Sequence, residues 1–371
     1  MGGKDLWKYC TAEQVRITLR SLHLLDGVHM EEEKYFSCLY AVSNHPELHY
    51  RQASVPKKGG GVRNLLVPDH LLCRIQKNIL RHVLADFPIS DYAMAYKTGT
   101  AIVENAKPHA GMKEILKLDI RNFFDSITYF QVYRNAFPAV YYPPPIRTML
   151  ASLCCCRDSL PQGAPTSPAV SNLVMKPFDE YLGAWCEERG IRYTRYCDDL
   201  TFSGKFDRRE VQNKVRGFLA AYGFELNEKK TRLQKAHQRQ TVTGIVVNEK
   251  PQVSREYRRK LRAEVYYCSK FGVESHLQRY GGEGPQKESV PREAGEACVR
   301  YLQKLQGKIN YVLQVNPEDP EFCRAKELVK EMLEARGCSA ETEKKSSERG
   351  ENDDRKSKKV IKNADGMEAV S

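Results

Sequence analysis

Arg192-Tyr193-Thr194-Arg195-Tyr196-Cys197-Asp198-Asp199-Leu200-Thr201-Phe202-Ser203-Gly204 is the stretch on which the fold turns. Two runs of β-favouring residues flank an acidic pair, the pattern of a hairpin that carries carboxylates at its turn. Adjacent aspartates repel each other, so a clustered pair asks for a cation beside it. Oxygen-only ligands suit a hard ion such as Mg²⁺. Taken alone, Tyr-x-Asp-Asp reads first as a solvated acidic turn, and the rest of the chain has to decide between the two.

Working outward, Glu114 to Ile120 reads as a strand with Leu116, Leu118 and Ile120 on one face and Lys117 and Asp119 on the other. Phe123, Ile127 and Phe130 recur at helical spacing and predict a helix over 122–137, with Asn122 or Asp119 as its cap. An aspartate where a strand gives way to a helix is well placed to face a cleft. Leu160-Pro161-Gln162-Gly163-Ala164-Pro165-Thr166-Ser167-Pro168 forbids regular structure, and Ser167-Pro168 predicts an N-cap followed by Pro at the first helical position. Val170, Leu173, Val174, Tyr181 and Trp185 then form one stripe of a helix kinked at Pro177. After the hairpin come a helix over 208–222, a strand–turn unit from Gly223 to Thr231 and a short strand pair over 242–247. The centre is therefore α+β: a small antiparallel sheet with helices on one face, a split βαβ core.

Further out, Tyr50 to Pro68 predicts a β-hairpin whose glycine turn is flanked by Lys57, Lys58 and Arg63. Such cations can close over a triphosphate, or simply blunt a sheet edge. A helix follows with Leu72, Ile75, Ile79 and Val83 on one stripe and Gln76 beside it. Residues 93–111, with Asn105 and His109, read as loop, and residues 1–48 as a helical segment without chemistry. From Lys250 the chain turns basic, with Arg255, Arg258, Arg259, Lys260 and Arg262 opposed nearby only by Glu249 and Glu256. Helices there flank a Gly/Pro/charge-rich surface loop at 281–293, and the aromatic-free tail from 338 reads as disordered.

The net charge of +12 over 371 residues points to an acidic partner, nucleic acid first. Residues 341–371 carry eight basic and eight acidic side chains, so the excess lies in the preceding part of the chain. Twelve cysteines include Cys154-Cys155-Cys156 but no CxxC pair, which argues against a zinc or thioredoxin-like site. No run of about 18 apolar residues and no apolar leader occurs, so a cytoplasmic protein without a membrane partner is expected.

In this order, a lone carboxylate on a strand, a Pro-Gln-Gly loop before a helix and Tyr-x-Asp-Asp on a hairpin resemble the palm of reverse transcriptases, over about residues 50 to 335. Asn105-Ala106-x-x-His109 and Val242-Thr243-Gly244 are similar to the two signatures of the retron type, as is Leu160 to Pro168 with Ser171-Asn172. Cys197 departs from the commoner alanine, and a small thiol should leave the site intact. The resemblance implies a right-hand polymerase: an N-terminal helical segment (1–48), fingers (49–112), an antiparallel-sheet palm (113–248), a helical RNA-binding thumb (249–337) and a charged tail (338–371). It implies two Mg²⁺ ions, with Mn²⁺ as a substitute, about 3.5–4 Å apart. Asp119 and Asp198 would bridge them, the Ile120 carbonyl would complete one shell, and Asp199 would lend support. Lys57 and Arg63 would pair with the triphosphate of a dNTP, Phe124 would exclude a 2′-hydroxyl, and Gln162 and Gly163 would shape the nucleotide floor. Lys229 or Lys230 would protonate pyrophosphate, the choice between them being open. Asn105, His109, Thr243, Arg255, Arg258, Arg259 and Lys308 are the candidates for RNA handling, with palm support equally open to Asn105, His109 and Thr243. The implied partners are a cognate structured non-coding RNA as template and primer, its branched DNA product and, for an anti-phage role, a separate effector. Two alternatives stand beside this: a catalytically idle RNA-binding scaffold, and a group II intron maturase-like polymerase.

Overall fold

The computed structural model describes residues 7–57, 60–280 and 294–336. Lys58 and Gly59 in the basic hairpin's turn, the expected surface loop at 281–293 and the expected disordered tail from 338 lie outside the described residues. The chain divides into two compact units, Met1–Thr243 with Val247–Lys250, and Gly244–Val246 with the segment from Pro251.

In the first unit, β1 (Tyr50–Pro56) and β2 (Val62–Pro68) form a two-stranded antiparallel hairpin. A separate antiparallel sheet joins β3 (Glu114–Asp119), β4 (Arg192–Tyr196), β5 (Asp199–Ser203) and β6 (Arg232–Lys235) in the order β4-β5-β3-β6. Alternation sorts the side chains. Leu116, Leu118, Leu200, Phe202 and Tyr193 join one buried cluster with Val174, Phe178 and Leu182 of helix Ser167–Glu187 and Val211, Val215 and Leu219 of helix Arg208–Ala221. Each fully enclosed side chain of this kind contributes about 1.5–3 kcal/mol relative to exposure. The opposite parity holds Lys117, Asp119, Thr194, Asp199, Thr201 and Ser203, a polar face in the register the alternation requires.

Several local expectations give way to tertiary packing. The segment after β3 is a compact turn through Ile127, and the helix begins only at Tyr129–Gln131, continuing as a wider turn through Val132–Ala136. Asn122 takes a left-handed φ of +47°, which no helix start tolerates. The real cap is Thr128, in a capping box with Gln131. Phe130, expected on the buried stripe, is 64% exposed. Tyr181, expected in the packed stripe of the next long helix, lies outside and stacks on Phe218 at 4.1 Å. That helix has Thr166 at its N-cap position and Ser167 as its first residue, and the Ser167 hydroxyl donates instead to the Pro161 carbonyl (2.6 Å). Part of the expected loop at 93–111 is helical, at Ile102–Ala106 and Lys107–His109.

The second unit is helical where described: Arg255–Phe271, Val273–Tyr280, Ala294–Val315 and residues 320–336. Ser254 caps the first of these by accepting from the Tyr257 N–H (3.2 Å). Leu261, Val265, Leu302, Leu305, Ile309 and Phe322 are among its buried side chains. Among the described residues no helix is long and apolar enough to cross a membrane.

Candidate active site

The three carboxylates singled out in the sequence converge at one end of the four-stranded sheet. Asp119 ends β3 and pairs in register with Asp199, the first residue of β5, while Asp198 occupies the turn between β4 and β5. The Ile120 N–H donates to the Asp198 carbonyl (2.9 Å), and the Asn227 N–H donates to that of Asp119 (2.8 Å). These bonds clip the end of β3 to the β4–β5 turn on one side and to the segment before β6 on the other. The turn has two central residues, and the first, Cys197, is left-handed at φ +60°.

Electrostatics at this end of the sheet are those of crowded like charges. Burial raises the Asp198 pKa, and the Asp119 charge adds to the shift. Asp199 is pushed up to about 6, by burial first and then by Asp198 and Asp119, while Lys117 and Lys230 pull it back. Asp199 also keeps a solvent-exposed face, which tempers this push. Lys230 Nζ lies 2.7 Å from Asp119 Oδ2, and that hydrogen bond is the main reason the ammonium holds its proton more tightly. Among the described residues no three His, Cys, Asp or Glu side chains stand close enough to grip an ion as they are. The donor chemistry nevertheless fits a hard divalent cation: three carboxylates, no sulfur or imidazole, and repulsion that a positive charge relieves. At Asp119, Lys230 already supplies such a charge.

The basic hairpin is docked on the Pro-Gln-Gly loop. The Leu66 N–H of β2 donates to the Gln162 carbonyl (2.9 Å), and Gly163, at φ +126°, approaches so closely that a Cβ there would sit 2.8 Å from the Leu66 carbonyl oxygen. Only glycine fits. Lys57 and Arg63 are exposed on this hairpin, and Gln162 is half-buried. Phe124 lies half-buried in the turn after Asp119, edge-on to Phe123 at 5.3 Å. Lys229 and Lys230 share the short helical turn Glu228–Lys230, and it is Lys230 that faces the carboxylates.

The candidates for RNA handling separate. His109 is fully enclosed, with Nδ1 at 2.7 Å from Ser203 Oγ and Nε2 at 2.8 Å from Thr194 Oγ1, so it clamps β5 to β4. Burial first, then the charges of Arg192 and Lys117, push its pKa down to about 3. Asn105 is equally buried and its amide has no protein partner. In this arrangement neither side chain can touch RNA directly, and of the two roles open to His109 the geometry fits support of the hairpin. Thr243, at φ +47°, donates to the Ile102 carbonyl (3.4 Å), at the start of the short helix that carries Asn105. In the second unit Arg258 pairs with Asp319 (2.5 Å) and Lys308 with Glu264 (2.6 Å), whereas Arg255 and Arg259 are exposed.

A further cluster was legible in the sequence but went unread there. Arg195 and Asp179 are both fully buried and form a forked ion pair, Nη2–Oδ2 2.6 Å and Nε–Oδ1 2.8 Å. Arg195 has the same strand parity as the core residue Tyr193, and that was the available signal: a charged residue at an inward position.

The family model for reverse transcriptase (RNA-dependent DNA polymerase) matches residues 55–249. The retron Mx65 reverse transcriptase of Myxococcus xanthus is 37% identical over 257 residues, covering 63% of this chain and 60% of that protein, less than two thirds of its length. The retron Ec86 reverse transcriptase of Escherichia coli is 32% identical over 269 residues, covering 71% of this chain and 83% of that one. The retron Ec83 reverse transcriptase of Escherichia coli is 29% identical over 289 residues, covering 71% of this chain and 92% of that one. With a family model matching more than half of the chain, and a relative above 30% identity matched over most of its own length, the chain belongs to the reverse transcriptase family, among the retron reverse transcriptases.

Proposed function

We propose that this chain copies a cognate structured RNA, acting as both template and primer, into single-stranded DNA. Synthesis starts from a guanosine 2′-hydroxyl and leaves a branched RNA–DNA product. The observation that carries this reading is the convergence of Asp119, Asp198 and Asp199 at one sheet end, with the Lys230 ammonium at 2.7 Å from Asp119. In this reading the four-stranded sheet is the palm, the β1–β2 hairpin belongs to the fingers and the helices from Arg255 form the thumb.

Two divalent cations, Mg²⁺ or Mn²⁺, supply a deprotonated attacking oxygen and charge neutralisation at the leaving pyrophosphate when bound. Asp119 and Asp198 would hold them, with the Ile120 carbonyl alongside, and Asp199 would add negative potential from the rim. Lys57 and Arg63 grip the triphosphate, Arg as a fork and Lys as a point charge. The hydrogen bond from Leu66 to Gln162 ties that grip to the loop beneath the nucleotide. Phe124 lies under the sugar and disfavours a 2′-hydroxyl by bulk. Lys230, rather than Lys229, delivers a proton to pyrophosphate, because it is the lysine facing the carboxylates. Arg255 and Arg259, exposed on a basic helix, contact RNA phosphates. A separate effector and a role in defence against phage complete the proposal.

The test is to isolate the protein with its co-purifying RNA, add dNTPs and Mg²⁺, and sequence the product. A branched RNA–DNA species that Asp198→Asn abolishes is the expected result. Random RNA, or undiminished extension by Asp198→Asn, overturns the reading.

A further inference from the structure

The catalytic turn has an anchor that lies behind the carboxylates and touches none of them. Arg195 sits two residues before Cys197, with no exposed surface. Its guanidinium reaches three groups. It forks onto Asp179 of helix Ser167–Glu187, donates to Asn172 Oδ1 on the same helix (3.1 Å), and donates through Nη1 to the Cys197 carbonyl (3.1 Å). Tyr193 OH donates to Asp179 Oδ1 (2.9 Å), and Asn172 Nδ2 donates to the Ala95 carbonyl (2.8 Å). The Arg195 backbone pairs with the segment covering the β4 edge, its N–H donating to the Tyr92 carbonyl and its carbonyl accepting from Met94 (both 2.8 Å).

A fully buried ion pair is a poor source of stability, because desolvation of both charges offsets their attraction. What this network does supply is direction. The Cys197 carbonyl belongs to the one left-handed residue of the turn, a conformation that is strained for a non-glycine residue and persists only where the surroundings hold it. The planar fork fixes that carbonyl relative to a long helix, and Asp198 is the next residue.

We propose that Arg195 is a positioning residue for the polymerase reaction: braced by Asp179 and Asn172, it holds the Cys197 peptide so that the Asp198 carboxylate stays aimed at Asp119. This rests on the reading of Asp198 as a metal-holding carboxylate.

Two variants test it, Arg195→Lys, which keeps the charge and loses the fork, and the apolar triple variant Arg195→Met/Asp179→Leu/Tyr193→Phe. Hydrogen exchange of the metal-free protein is measured for peptides covering 118–122 and 196–204, with helix Arg208–Ala221 as internal control. Mn²⁺ affinity is measured by calorimetric titration, and dNTP incorporation is split into kcat and KM. The expected result in a folded variant is exchange at least about tenfold faster at the turn and at the Ile120 amide, with the control helix unchanged. Mn²⁺ affinity falls about tenfold, and kcat drops 10- to 100-fold with the dNTP KM within twofold. Wild-type exchange and Mn²⁺ affinity in a folded variant overturn the proposal. So does failure of both variants to fold, since the network would then be a requirement of the whole unit. Asp198→Asn is run alongside: if it keeps full activity the metal-site reading fails, whereas the exchange result on Arg195 stands on its own.

Discussion

Asp199 and His109 lie on the same sheet face and bend the pH dependence of stability in opposite directions. Asp199 ionises near 6 when folded against 3.8 for an unperturbed aspartate. Between those values the folded chain binds more protons, so stability falls as pH rises through the window and stays lower above it. Asp199→Asn should therefore raise the metal-free unfolding midpoint at pH 8 and leave it unchanged below about pH 3.8. Solvent at the exposed face limits the gain to about 1 kcal/mol or less. Mg²⁺ should stabilise the wild type more than the variant. His109 ionises near 3 when folded against 6.5 for an unperturbed histidine. The unfolded chain binds the extra proton there, so this contribution is fully present above pH 6.5 and is lost as pH falls toward 3. His109→Ala strands two buried hydroxyls and should cost about 2–3 kcal/mol in a denaturant titration, without changing the salt dependence of RNA affinity. The carboxylates were legible because an aspartate ending a strand and an acidic hairpin turn are local patterns. The role of His109 was not, since its partners lie 85 and 94 residues away.

At the scale of elements, the β1–β2 hairpin docks on Gly163, and under the proposed function this couples nucleotide grip to the loop below. Gly163→Ala must move the Leu66 carbonyl and force a residue with a Cβ to φ +126°, a combined cost of about 1–3 kcal/mol. Its activity loss should show as a raised dNTP KM, because the displaced hairpin carries Lys57 and Arg63. Lys57→Ala and Arg63→Ala should raise the same KM about tenfold while leaving the melting temperature within about 1 °C, both residues being exposed. Measured side by side, these separate a grip defect from a packing defect. The strands and long helices were readable from period alone. The helix expected from Asn122 was not, because Phe123 and Ile127 are buried by a turn that folds inward, and a spacing of four fits either structure. The Thr128–Gln131 capping box was visible in the sequence and marked the true start.

For the whole molecule, charge and order of motifs were the legible quantities. The +12 excess does not depend on residues 341–371, whose charges cancel. RNA affinity should thus fall steeply and linearly on a log–log plot against salt, with the same slope after those residues are removed. A flat response in filter binding would exclude the basic helices as the contact. The polar packing between distant segments was legible only in part: the inward strand position of Arg195 called for a buried partner, but only the fold shows that Asp179 and Asn172 supply it.

The left-handed torsion at Cys197 also sets which alphabets evolution can use at the motif's second letter. A library randomised at 197 and selected for DNA synthesis should return glycine, alanine, serine, cysteine and asparagine. It should lose valine, isoleucine, threonine and proline, whose branched or cyclic side chains disfavour φ near +60°. Variation at that letter among active sequences is thus filtered by backbone shape, and the two aspartates that follow keep their aim through any substitution that passes the filter.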